Sequence, residues 1–302
     1  MKPLTVRHTT IYRYARPVSF GPHRLMLRPR DSHDLRLVRT HLALSPMADM
    51  RWMHDVFGNS VAVATFAQPA AELRIASTLF IERYGLERPA FELDPLATTY
   101  PFVYSSEDRT DLGRLVERHS PDSTGRVDQW ARSFVREKSI DTLELLADMN
   151  RSIKRDFAYQ ARDDEGTQTP IETLDRRSGT CRDYAFLMME AVRSLGFGAR
   201  FVTGYLYDPK LDGAAEDGTL GAGATHAWAD IYLPGAGWVE YDPTNALIGA
   251  EALIRVAVTR DPSQAAPIAG SYAGDAEDFQ GMRVEVTVQA GHRDPASPAM
   301  AA

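Results

Sequence analysis

The sequence predicts an α+β chain, with an all-β N-terminal part followed by a mixed core. Three observations carry this. Residues 1–105 break into short β-rich stretches with alternating apolar positions. Helical periodicity first appears at 127–157 and returns at 181–196. After residue 199 the β-rich segments resume.

The β-rich stretches come in order. Residues 5–14 (TVRHTTIYRY) are rich in β-branched and aromatic residues, 23–30 (HRLMLRPR) alternate up to a proline, and 35–44 (LRLVRTHLAL) alternate again. Residues 50–66 predict a hairpin around Phe57-Gly58-Asn59, and 72–84 a long strand. Such spacing suggests a small sandwich or barrel. Residues 85–127, rich in Pro, Ser, Asp and Thr, read as a wrapping connection. Helices are expected at 127–138 and 141–157, the second from the recurrence of Leu143, Leu146, Met149, Ile153 and Phe157, with a short helical piece at 171–179. Residues 181–196 are apolar on nearly every face, which predicts a deeply buried helix ending at Gly196 with Arg193 in its last turn. Strands follow at 199–207, 225–234, 237–245, 253–260 and 282–290, with a turn at 234–237. The expected division is a β-rich domain (1–105), a connecting segment where the core helices begin (106–140), a core with C-terminal strands (141–290) and a disordered tail (291–302).

Composition narrows the function. A chain of 302 residues buries enough surface to fold without staples, and its single cysteine rules out an internal disulfide framework and any multi-cysteine metal site. The polar start MKPLTVRHTT does not read as a secretory signal, and no apolar run approaches membrane-spanning length, so the expected location is cytoplasmic with no membrane partner. Net charge is −7, unevenly spread: residues 1–53 carry ten Lys/Arg against three acids. The arginines are scattered along alternating strands with no nucleic-acid motif. They read as solvated strand edges and interface ion pairs rather than a polyanion patch. No GxSxG elbow, Walker A loop or HExxH is present. Residues 163–166 (Asp-Asp-Glu-Gly) lack EF-hand spacing and read as a solvated loop rather than a calcium site, so no cofactor is expected.

Cys181 stands where chemistry is favoured. Thr180 is a good N-cap and Asp183 completes a capping box, so the sulfur falls in the first turn of the buried helix. The partial positive charge and free N–H groups there favour a thiolate and can donate to an oxyanion beside it. A lone cysteine is otherwise a small buried hydrophobe. His226, after a Gly/Ala-rich loop and at the start of a strand, is the candidate base. The turn at 234–237 brings Asp242 across the hairpin toward His226, where a carboxylate would accept Nδ1–H and fix the tautomer. Asp230, on the same strand face four residues from His226, competes for that role.

Four blocks together resemble the core of the transglutaminase-like, papain-related superfamily: Ser178-Gly-Thr-Cys181-Arg-Asp-Tyr-Ala, Arg193–Tyr205 with its Val-Thr-Gly204, His226-Ala-Trp-Ala-Asp-Ile-Tyr-Leu-Pro, and Tyr241-Asp242-Pro-Thr-Asn245. The order Cys, His, Asp also matches. Outside the core, His8-Thr-Thr-Ile-Tyr-Arg-Tyr, the Leu-Arg-Pro-Arg30 run and Asp55-Val-Phe-Gly-Asn59 resemble the N-terminal region of bacterial transglutaminase-like proteins, and 256–274 resembles their C-terminal segment. The resemblance implies a papain-like/transglutaminase-like core with the cysteine helix packed on an antiparallel sheet, and a triad of nucleophile Cys181, base His226 and orienting acid Asp242. Tyr159 and Thr180 are candidates for oxyanion support. Many relatives carry Phe where Tyr184 stands and Glu where Asp230 stands; neither change touches the triad.

The expected activity is acyl transfer through a thioester, on a peptide or protein substrate and without nucleic acid. Water as second nucleophile makes a cysteine protease or amidase, which is the favoured expectation; an amine makes a transglutaminase. A peptide-ligation accessory enzyme and a non-catalytic protein-binding module are the alternatives.

Overall fold

The computed structural model describes residues 1–84, 91–160, 166–209, 224–249 and 252–291. The acidic loop at 163–166 and the tail thus fall largely outside the described residues. Six strands open the chain: β1 (Lys2–Phe20), β2 (His23–Arg28), β3 (Leu35–Ser45), β4 (Ala48–His54), β5 (Ser60–Phe66) and β6 (Ala70–Arg83). The expected hairpin is β4–β5, with Asp55 accepting the Phe57 and Asn59 amides across its turn. Two short pairings follow: β7 (Thr99–Tyr100) antiparallel to β8 (Ile140–Asp141), and β9 (Ala158–Tyr159) parallel to β10 (Ser178–Gly179). The helices are α1 (Ser106–Leu112), α2 (Arg126–Arg132), α3 (Thr142–Asp156), α4 (Pro170–Arg176) and α5 (Cys181–Ser194). The remaining strands are β11 (Ala199–Leu206), β12 (Thr225–Leu233), β13 (Gly237–Asp242), β14 (Leu247–Ile248), β15 (Leu253–Thr259), β16 (Ile268–Ala269), β17 (Tyr272–Ala273) and β18 (Phe279–Ala290). No helix among the described residues is long and apolar enough to cross a membrane.

The expected N-terminal sandwich is present. One sheet runs β17-β1-β6-β3 with β18 also on β1, the other β16-β2-β5-β4. Tyr14, Leu73 and Ile75 from the first meet Leu25, Leu27, Ala62 and Ala64 from the second in one apolar cluster. Of the strands expected to end the core, β15 joins the core sheet but β18 returns to β1, and the short β16 and β17, which the sequence does not announce, pair with β2 and β1. The physical reason is a long apolar register, in which Val286 and Val288 of β18 join Leu4, Val6, Leu79 and Ile81 and are covered by Tyr205 and Ile254 of the core sheet. At this contact His8 is buried, hydrogen-bonded to Tyr205 and Thr10 at 3.0 Å each, and burial pushes its pKa down to about 4.

The core sheet has the order β14-β13-β12-β11-β15, all antiparallel. One face receives α5, which is buried on nearly every side as its sequence predicts. Ala185, Leu187, Met188, Met189 and Val192 cluster with Phe201, Ala227, Ala229 and Ile231 of the sheet and with Leu145, Met149 and Ile153 of α3. Each such large side chain contributes roughly 1.5–3 kcal/mol on full burial. Glu190 and Arg193, charged yet fully buried, form an ion pair at 2.8 Å, and Glu190 also accepts the amides of His119 and Ser120. Packed between sheet and helices, α5 cannot shift, and its N-terminus is a fixed point.

Candidate active site

The turn entering α5 is built around a buried carboxylate. Asp183 accepts the Thr180 amide at 2.8 Å, the Thr180 hydroxyl at 3.0 Å and the Gln168 amide at 2.7 Å. Thr180 therefore serves as the cap, with its hydroxyl committed to Asp183. A Cβ on Gly179 would lie 2.9 Å from the Asp183 Cβ, so only glycine permits this close approach. The first bond of the helix is Tyr184 N–H to Thr180 C=O, which leaves the amides of Cys181 and Arg182 ahead of the ladder at its positive end. Cys181 is the first helical residue and is 6% exposed.

His226 enters from β12, opposite Gly204 of β11. A Cβ on Gly204 would lie 2.0 Å from the Ile254 carbonyl and 2.9 Å from the Trp228 ring, so glycine is required for these strands and that ring to pack behind the histidine. In the β12–β13 hairpin Ala229 faces Tyr241, which makes Asp242 a diagonal neighbour of His226 on the same face. Asp242 Oδ2 lies 2.8 Å from His226 Nε2, with both side chains fully buried. This corrects the expectation that Nδ1 would meet the carboxylate. Asp242 is clamped by the Thr244 amide at 3.0 Å and by Asn245 Nδ2 at 2.9 Å just past the strand end, so it reaches the far side of the ring. Nδ1 makes no well-aligned hydrogen bond among the described residues and is the nitrogen left for the Cys181 thiol.

The electrostatics follow from this order. Burial alone would lower the imidazole pKa. The Asp242 charge and hydrogen bond, and then Cys181 as hydrogen-bonding and charged neighbour, outweigh it and push His226 up to about 10. Burial alone would raise Asp242. The His226 charge and hydrogen bond, together with Asn245 and the Thr244 amide, hold it below the usual carboxylate range. The site thus favours imidazolium, the partner a thiolate needs.

Two more residues lie near the thiol, Tyr159 and Arg182, and a third, Asn245, holds Asp242. Tyr159 is brought in by the β9–β10 pairing, in which Gln160 N–H donates to the Gly179 carbonyl. It is half-buried, and burial followed by the charges of Cys181, Tyr184, Asp183 and Asp242 pushes its phenol up to about 12, so it remains a hydrogen-bond donor. Arg182 is a feature the sequence reading missed: its half-buried guanidinium donates to the Pro262 carbonyl at 2.7 Å and lies 5.0 Å over Phe201. Burial lowers its pKa, against the opposing charges of Cys181 and Asp183. Asn245 is a second residue with no role assigned from sequence, although an Asp-Pro-Thr-Asn turn signals a side chain folding back on the aspartate. Asp230 is engaged elsewhere, accepting Arg200 Nε at 3.0 Å and the Trp228 indole at 3.2 Å. Trp228 is fully buried, its ring 6.2 Å from that of His226, and Trp238 lies under the Arg200 guanidinium. No group of three metal-ligating side chains occurs among the described residues.

Comparison with known proteins gives a consistent picture. Residues 4–82 match the model of the bacterial transglutaminase-like N-terminal region, and residues 128–243 that of the transglutaminase-like superfamily. An uncharacterized protein of Mycobacterium tuberculosis is 29% identical over 283 residues, 90% of this chain and 88% of that one. A crystal structure from Cytophaga hutchinsonii, described as a candidate cysteine protease, has the same fold, with a TM-score of 0.69 at 17% identity over 97% of this chain and 92% of that one. A protein-glutamine gamma-glutamyltransferase of Pseudomonas aeruginosa is 37% identical over 71 residues, 24% of this chain and 10% of that one.

Proposed function

We propose that this chain, which belongs to the transglutaminase-like superfamily, is a cysteine-nucleophile acyl-transfer enzyme that opens peptide or carboxamide bonds through a thioester. The observation that carries the reading is the convergence of Cys181, at a fixed helix N-terminus, on a buried imidazole whose far nitrogen is held by Asp242 at 2.8 Å. The Cys181 thiolate attacks the carbonyl carbon, and the charge that collects on oxygen faces the leading amides of α5. The C–N bond then breaks as His226 delivers its Nδ1 proton to the departing amine, leaving a thioester. A second nucleophile gives a proton back to His226, attacks the thioester and releases the acid or the new amide together with the thiolate. Asp242 stays ionised throughout and fixes the ring.

Water is the resolving nucleophile we favour, because it is always present while an amine needs a binding site of its own. The matched segment of the Pseudomonas transferase keeps the amine route as the second reading. The two are separated by offering casein and glutamine-containing peptides with and without a fluorescent primary amine. Hydrolysis yields new amino termini or free ammonia regardless of the amine; transamidation yields labelled protein. Cys181→Ala should lower either product by about 10⁴-fold or more while leaving the melting temperature near that of the wild type. If the wild type forms no more product than Cys181→Ala, the reaction is refuted and a binding role takes its place.

A further inference from the structure

Two motifs of the N-terminal domain play no part in the proposed reaction: Leu27-Arg-Pro-Arg30 and Asp55-Val-Phe-Gly-Asn59. The fold brings both to one place. They meet β11 and β15 at a cleft of about 270 Å³ whose walls include Arg30, Asp31, Ser32 and Asn59 from one side and Arg200 and Arg255 from the other. That volume lies just below the ~300–1,000 Å³ of pockets that enclose drug-sized ligands, so its occupant is small.

The walls are pre-formed. Asn59 acts as a strand partner for β15, donating to the Val258 carbonyl at 2.6 Å and accepting the Val258 amide at 2.9 Å, while Asp55 receives its Nδ2 at 2.8 Å. Gly58 is left-handed, and a Cβ there would lie 2.2 Å from Arg30 Nη1, so its missing side chain makes room for that guanidinium.

Three arginines and one aspartate line the cleft, and the carboxylates of Asp230 and Asp34 lie behind them. Arg200 places Nε and Nη2 on Asp230 Oδ2 at 3.0 and 2.9 Å, and Arg255 approaches the same oxygen at 3.8 Å, so two guanidiniums share one carboxylate oxygen. Arg30 makes no ion pair or hydrogen bond among the described residues. Asp31, the one acid in the wall, accepts the Leu37 amide. Glu240, across the strand pair from Asp230, is pushed above the usual carboxylate range by burial and then by the Asp230 charge, against Arg255 and Arg83.

We propose that this cleft binds a small oxyanion-bearing ligand, a carboxylate or a phosphate, held by Arg30, Arg200 and Arg255 between the N-terminal domain and the core sheet. Planar guanidiniums from separate elements are suited to such groups, which they can grip with paired hydrogen bonds. The cleft is separate from the thiol: Asp230 lies four residues along β12 from His226, about 13 Å at strand rise, and the fully buried Trp228 stands between them. A ligand gripping both sides stabilises the assembled chain by mass action.

The test is thermal unfolding of the full chain carrying Cys181→Ala, titrated with sodium phosphate and separately with sodium succinate at ionic strength held constant with sodium chloride. A saturable rise in melting temperature is expected with at least one anion, and the one saturating at lower concentration identifies the ligand class. Arg30→Gln, which removes no described hydrogen bond or ion pair, and Arg255→Gln should each require at least about tenfold more anion for the same rise. A rise that does not saturate and is unchanged in both variants is a general salt effect and overturns the site, as does the absence of any rise with both anions.

Discussion

Strand β12 carries two buried polar centres four residues apart, and they differ in what remains free. At Asp230 the carboxylate is saturated by Arg200, Arg255 and the Trp228 indole, and guanidiniums keep their protons across the working pH range. At Asp242 the partner is an imidazole, which can gain and lose a proton, and its second nitrogen is left for a thiol. Burial and carboxylate chemistry are shared, so neither marks a reactive site. What separates the two is a titratable partner with one valence unspent. The same contrast explains why Asp230, close to His226 in sequence, does not act as its orienting acid.

The largest effect that sharpens this comparison after loss of the thiol itself is expected for His226→Ala. Removing the proposed base and ion-pair partner should lower turnover by on the order of 10³-fold and slow iodoacetamide alkylation of Cys181 at pH 7 by at least about tenfold. Equal alkylation in both proteins would show that the histidine does nothing for the thiol.

Asp230→Asn should do the opposite. It leaves two guanidiniums facing a neutral amide, one of them Arg200 at 16% side-chain exposure, and should cost about 3 kcal/mol of stability in denaturant unfolding. Alkylation of Cys181 should stay within about twofold of wild type, because the two centres share no partner beyond the Trp228 ring. A large loss of thiol reactivity would merge the two centres into one network and break the contrast.

Asp242→Asn should lower kcat by about 10²-fold through loss of ring orientation and charge. It also carries a signature in stability. The raised His226 contributes stability that is fully present below its ordinary value of 6.5 and is lost as pH rises through about 10. The wild type should therefore lose unfolding free energy across pH 7–10, while the variant, lacking the carboxylate that holds the imidazole up, should show a flatter profile. Equal slopes would mean that the pair does not titrate as its geometry implies.

How far the sequence alone could be read follows the range of the interactions. The cap at Thr180, the all-round apolar helix α5 and the β12–β13 hairpin are local patterns, and each lies where its residues place it. Helix α1 was missed because it buries only Leu112, so no periodic stripe marks it, and α2 stops at Arg132, short of the expected span. The return of β18 to β1 and the clasp of Asn59 on Val258 join residues about two hundred or more positions apart, which no window of sequence reports. The choice of ring nitrogen on His226 depended on a diagonal register and on the Thr244–Asn245 clamp, both finer than strand boundaries can resolve.

Tyr159 gives the smallest and most discriminating effect. Among the described residues its hydroxyl makes no hydrogen bond, while its ring packs edge-on to Tyr184 at 6.4 Å. Ring packing and hydroxyl donation can therefore be removed separately. Tyr159→Phe keeps the ring and deletes the donor; if the hydroxyl shares the oxyanion with the amides of α5, kcat should fall by about tenfold with KM and melting temperature little changed. That loss is below the 10²–10³-fold typical of a sole donor, because the backbone amides persist. An unchanged kcat in Tyr159→Phe, with destabilisation appearing only in Tyr159→Ala, would assign the residue to packing and leave the helix N-terminus as the whole of the oxyanion site.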